Sequence, residues 1–114
     1  MGASVEIRLY FLQRVTAIIM APLVIGHIIV MIFAVQNGLT ADEILGRTQG
    51  STLWALFYGT FVIAVSIHAA IGLRTILYEW LGIGGVTLNG FASATCFGLL
   101  SMGLYAVAAV TVTP

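Results

Sequence analysis

Three long apolar segments, Val15–Val35, Leu53–Leu73 and Phe91–Val112, decide what this chain can become. Each is about as long as the ~20 residues an α-helix needs to cross a hydrocarbon core of ~30 Å. The first two hold one histidine each, and the third carries no charged residue. With 61% of its 114 residues hydrophobic, only 7% charged and a mean hydropathy of +1.12, the chain lacks the polar surface a soluble domain would need. The predicted fold is all-α: an integral membrane bundle of three transmembrane helices, covering approximately residues 11–36, 52–80 and 88–112. Residues 1–114 form a single membrane domain.

The first apolar run exceeds the roughly 7–15 residues of a signal-peptide core and has no small-residue cleavage site, so it is expected to be a retained helix. The single cysteine, Cys96, falls within the third segment, which excludes a disulfide framework, a thiolate metal cluster and a C-x-x-C-H haem attachment; it is read as a packing residue. Net charge is zero and lysine is absent, so no polybasic patch for nucleic acid is present. Membrane lipid is the expected surroundings.

Between the first two spans lies "QNGLTADEILGRTQGST", in which "TADEIL" is expected to form a helical turn capped by Thr40. "GIGGVTLNG" joins the second span to the third as a shorter, flexible turn. With three spans, the N-terminus and this second connection share a side. Arg8, Arg14 and Arg74 fall there, against Arg47 with Asp42 and Glu43 on the other. Arginine placement therefore predicts a cytoplasmic N-terminus and an outer "TVTP" C-terminus, in a multi-pass protein of the inner (cytoplasmic) membrane.

An ionisable side chain in a bilayer costs ~2.5–3.5 kcal/mol or more on insertion scales, less for a neutral histidine, so an intramembrane histidine is a functional candidate. His68 lies near the middle of the second helix. At 100° per residue, Ala64, Gly72, Thr75 and Glu79 fall on its face. One imidazole flanked mainly by small residues would let a flat macrocycle lie against the helix, and histidine is a common axial ligand of haem iron. The alternative is that His68 hydrogen-bonds a neighbouring helix and its small neighbours permit close packing.

His27, in "APLVIGHIIVM", occupies the centre of the first helix, beside Gly26 and after Pro22, which can kink the helix. It too is either a haem ligand or a packing residue. If Arg14 and Arg74 mark one interface, His27 lies ~20 Å deep and His68 ~9 Å deep at 1.5 Å per residue. The pair would not clamp one haem. Each would serve a different haem completed by another chain, or only one is a ligand.

Arg14 opens the first apolar run, and Arg74 and Glu79 close the second helix on the same side, among Tyr10, Tyr78 and Trp80. Two readings stand equally. The arginines snorkel to headgroups within an aromatic belt, or Arg14 and Arg74 neutralise haem propionates and line a polar pocket where Arg, Tyr or Trp donates to a quinone carbonyl.

"QRVTAIIM" opening the first helix and "HAAIGLRTILYEW" closing the second resemble the membrane-anchor subunits of succinate dehydrogenase and fumarate reductase. In the small anchor of that family an R-x-T-A opening precedes H-x3-G and an acid eleven residues after the histidine. Arg14, Thr16, Ala17, His68, Gly72 and Glu79 occupy those places. The second helix also resembles the companion cytochrome b anchor, whose H-x3-G-I-R-x4-D is met by His68, Gly72, Leu73, Arg74 and Glu79, but the S-P-H-x-x-I-Y stretch of that larger anchor is missing. The smaller anchor is favoured.

The resemblance implies an electron-transfer subunit of a succinate:quinone oxidoreductase, not catalytic alone. Its partners would be a flavoprotein, an iron–sulfur protein on the cytoplasmic face and a second membrane anchor. It implies haem b with His68 as axial ligand to the iron, a quinone (ubiquinone or menaquinone) where the anchors meet the iron–sulfur subunit, and Arg14 near the quinone or a propionate. Where the small anchor usually has Asp-Tyr, this chain has Glu79-Trp80; that tyrosine is the family's quinone donor, so Trp80 or Tyr78 is the candidate replacement. His27 is the second departure. Family members with two haems place a histidine in each of the first two helices and often use menaquinone, so the expected number of haems is one or two.

Three rivals stand beside this reading: a haem-free structural anchor, a cytochrome b subunit of another respiratory dehydrogenase, and a transporter. The R-x-T-A opening disfavours the second, and the lack of an inverted repeat the third. Ala94 and Gly98, in small-xxx-small spacing, mark one candidate face for a partner anchor.

Overall fold

A computed structural model describes residues 3–112; the end of the "TVTP" tail lies outside them. Four helices follow in order: α1 (Ala3–Asn37), α2 (Ala41–Thr48), α3 (Thr52–Leu81) and α4 (Gly85–Thr111). Among the described residues α1, α3 and α4 are long and apolar enough to cross a membrane. The all-α bundle of three spans is thus the fold.

The helix ends follow from local chemistry. α1 continues through Pro22 and stops before Gly38, whose φ of +123° suits glycine. The expected turn at "TADEIL" is a full helix, α2. Its capping box is complete: Glu43 N–H donates to Thr40 Oγ1 and Thr40 N–H to Glu43 Oε2, both at 3.2 Å. Ser51 caps α3, accepting from Trp54 N–H. At the other end Gly82 turns left-handed (φ +67°) and Ile83 N–H returns to Leu77 O, leaving only Gly82–Gly84 between α3 and α4.

Two boundaries differ from the sequence reading. α1 starts at Ala3, not near residue 11, so Arg14 lies in its fourth turn. No proline or glycine interrupts residues 3–13, and helix formation there does not require an apolar run. α4 likewise begins at Gly85, before its apolar stretch.

α3 is the middle helix, packed against α1 on one side and α4 on the other. Ala64, Ser66, Ala70, Ile71 and Arg74, all on α3, are buried, while Ile18, Ile25, Ile32 and Phe97 on the flanking helices face outward. Close approach is made at small residues. The Phe57 ring lies against Gly26, 3.2 Å from where a Cβ would stand, and Val62 fills the space a side chain on Gly103 would take. Ala94 and Gly98 face outward, still open to a partner. α2 ties down the far end: Thr48 Oγ1 donates to Val110 O at 2.7 Å and Gly50 N–H to Thr111 O.

Candidate functional site

On α1, Glu6, Tyr10, Gln13 and Thr16 recur every three or four residues and so form one polar stripe. α3 runs antiparallel against it. Arg74, Gly72 and His68 meet the stripe in turn.

At the top, Arg74 is 8% exposed despite its charge. One of its terminal nitrogens pairs with Glu6 Oε1 at 3.1 Å, and Nε–H donates to Asn89 Oδ1 on α4 at 3.4 Å. One guanidinium therefore joins all three spans. Arg74 does not snorkel, and its charge is already matched by Glu6.

One layer down, the Gln13 amide lies over Gly72, where an added Cβ would stand 3.6 Å from its nitrogen. Gln13 Oε1 is buried and has no hydrogen-bond partner. Beside it opens a cavity of about 670 Å³, with Glu6, Tyr10, Gln13, Arg74, Tyr78 and Glu79 in its wall.

Next comes His68. Its Nδ1 lies 3.1 Å from Thr16 Oγ1, and that hydroxyl also lies 2.9 Å from Leu12 O and 3.0 Å from Gln13 O. A hydroxyl has one proton. Where that proton goes to a carbonyl of its own helix, Oγ1 meets the ring as an acceptor, Nδ1 carries the hydrogen, and Nε2 keeps its lone pair. The contact is the hydrogen bond to a neighbouring helix that packing calls for, and a nitrogen held in this way is also compatible with ligation through the other one. The small residues around His68 are partly taken by α1 itself: Ala64 is buried and Gly72 is covered by Gln13.

His27 lies elsewhere. Its ring packs edge-on against Phe61 (centroids 5.3 Å apart) and Tyr58 (6.2 Å), and its Nδ1 is buried without a partner. It borders an apolar cavity of about 520 Å³ shared with Val65, Met102 and Gly103. Its neighbours on α3 precede His68 by seven and ten residues, which puts the two histidines about 10–15 Å apart in depth at 1.5 Å per residue. They do not face one another.

The rim residues are divided. Tyr78 and Arg74 share the 670 Å³ cavity, whereas Arg14 and Trp80 do not line it. Arg14 is exposed, its guanidinium 5.7 Å from the Tyr10 ring centre, and Trp80 is 82% exposed. Among the described residues no three His, Cys, Asp or Glu side chains gather to hold a bare metal ion. The sequence reading missed Glu6, Gln13 and Asn89. The three-to-four spacing of the polar α1 stripe would have revealed the first two; nothing local marks Asn89.

A family model, Succinate dehydrogenase/Fumarate reductase transmembrane subunit, matches residues 1–113. The chain belongs to that family. No curated protein and no solved structure matches it. As a transmembrane subunit of a succinate dehydrogenase or fumarate reductase, it is a multi-pass membrane protein and one component of a complex. Thr16 and His68, motif residues of its first and second spans, touch across the α1–α3 interface.

Proposed function

We propose that this subunit is the small anchor of a succinate:quinone oxidoreductase, holding haem b through His68 Nε2 and forming part of a quinone site at its arginine-bearing end. The observation that carries the reading is the contact between Thr16 and His68, which leaves Nε2 free to ligate. When bound, haem supplies a one-electron ferrous/ferric couple inside the membrane. This chain's part is to set that imidazole in one tautomer, to exclude water with α1, and to anchor three spans on Arg74.

His68 has no second histidine at its depth in the chain, so any further protein ligand to the haem would come from a second membrane anchor. The outward faces of α1 and α4 leave room for it, Ala94 and Gly98 among them. The 670 Å³ cavity lies one helical turn from His68 and within the size range of small-molecule sites, ~300–1,000 Å³. Tyr78 there is the better-placed quinone donor, since Trp80 is not part of the wall. The exposed end bearing Trp80 and Leu81 docks the iron–sulfur subunit, with the flavoprotein beyond it, on the cytoplasmic side of the inner membrane.

His27 supports a second reading with two haems. Its Nδ1 lacks a partner and it borders the 520 Å³ cavity, where another ligand would lie at a different depth.

Affinity purification through a tag on this chain tests the assignment. The reading requires flavin, iron–sulfur and a b-type spectrum to purify together, and the b-type band to be lost in His68→Ala while flavin and iron–sulfur stay. Co-purification with no b-type haem in the wild type would leave the haem-free anchor.

A further inference from the structure

Gln13 Oε1, like His27 Nδ1, is a buried polar atom for which the α1–α3 packing provides no partner. A buried acceptor left unmet is destabilising, and this one adjoins a cavity large enough for a small molecule. The wall defines the occupant. Glu6 and Glu79 outnumber Arg74, which Glu6 already neutralises, so a carboxylate or phosphate would meet a net negative lining. Leu9, Ile71, Ile76 and two tyrosine rings supply apolar contact. A neutral ring with a polar oxygen fits; an anionic propionate does not.

Resting on the quinone reading above, we infer that Gln13 is the specificity residue of this cavity, hydrogen-bonding a ring oxygen of a quinone-class ligand in both its oxidised and its reduced form. The two forms make opposite demands. A quinone carbonyl accepts and needs an N–H; a quinol hydroxyl donates and needs an acceptor. A carboxamide offers both, and half a turn about its last side-chain bond exchanges Nε2 for Oε1. Arginine offers only donors and an ionised carboxylate only acceptors, so each would favour one redox form. Gln13 also stands one turn from Thr16 and lies over Gly72, itself one turn from His68, which brings the ring it holds close to the site proposed for haem.

The test uses the membrane-extracted complex and a short-chain ubiquinone, with a naphthoquinone as second probe. Quinone reduction by succinate and quinol-driven fumarate reduction are both measured, each normalised to reduction of a soluble dye that counts assembled soluble subunits. Gln13→Met keeps length and removes both hydrogen-bonding atoms. It is expected to raise the KM for quinone and for quinol about threefold to tenfold, from the net worth of one hydrogen bond. Gln13→Glu, which keeps an acceptor, is expected to raise KM for quinone and spare quinol; equal loss in both directions would overturn the two-faced role. Thr75→Trp, which fills the cavity from an exposed position of α3, separates the two levels of the argument. If Thr75→Trp raises KM and Gln13→Met leaves it at the wild-type value, Gln13 is not the recognising group and the quinone reading survives. If neither variant moves KM, the cavity is not the quinone site and the inference falls with that reading.

Discussion

His68 Nδ1 and Thr16 Oγ1 stand 3.1 Å apart across the α1–α3 interface. Thr16 is itself buried, 3% exposed, so no lipid headgroup or water competes for the bond. On the proposed reading, this hydroxyl holds Nδ1 and leaves Nε2 as the nitrogen that ligates. This contact links the sequence motif of the first span to the chemistry of the second.

Replacing Thr16 by valine keeps its shape and removes the acceptor. Haem affinity is expected to fall about 10–100-fold, the usual cost of losing a partner of a ligating histidine. The midpoint potential of the remaining haem should rise, because a less basic imidazole stabilises the ferric state less. Thr16→Ser keeps the acceptor and should restore both. A redox titration with haem quantitation distinguishes them.

Arg74 ties α1, α3 and α4 together, but its acid partner Glu6 is 57% exposed by side chain. Screening limits the worth of the pair, so Glu6→Gln is expected to cost only about 1 kcal/mol. Arg74→Ala also empties a buried position shared by three helices and should cost about 3 kcal/mol or more. Thermal unfolding of the detergent-solubilised complex measures both; Arg74→Ala costing no more than Glu6→Gln would contradict the three-helix role.

Gly103 on α4 makes room for Val62 of α3, which fills the space its side chain would take. Lipid provides no hydrophobic force between spans, so this fit matters more than it would in water. Gly103→Leu should destabilise by about 1–3 kcal/mol through overpacking, and Val62→Ala should recover part of the loss. Unfolding in detergent of the single and double variants gives the coupling.

The sequence was most legible where the determinants are local. The apolar spans, the Thr40 cap and the glycine-marked turns all depend on residues a few positions apart, and each appears where composition and spacing put it. The start of α1 was not legible in the same way, because Gln13 and Arg14 bound the apolar run but not the helix. Of the site, the motif residues His68 and Thr16 were visible, yet their contact was not, since it joins positions fifty-two residues apart. The same holds for Arg74 and Glu6, sixty-eight apart: an arginine at a helix end reads equally as a headgroup contact or a pocket residue until the helix that buries it is in place. Small residues beside His68 had two meanings in the sequence. Part of the ambiguity resolves toward packing, because Ala64 and Gly72 make room for α1.

The central claim is that His68 Nε2 ligates haem. Pyridine haemochrome quantitation on purified wild type, His68→Ala and His27→Ala, normalised to flavin, tests it most directly. The account predicts b-type haem in the wild type, loss of one haem in His68→Ala and no loss in His27→Ala; a further haem lost only in His27→Ala would establish the two-haem form. An undiminished haem-to-flavin ratio in His68→Ala would contradict the claim.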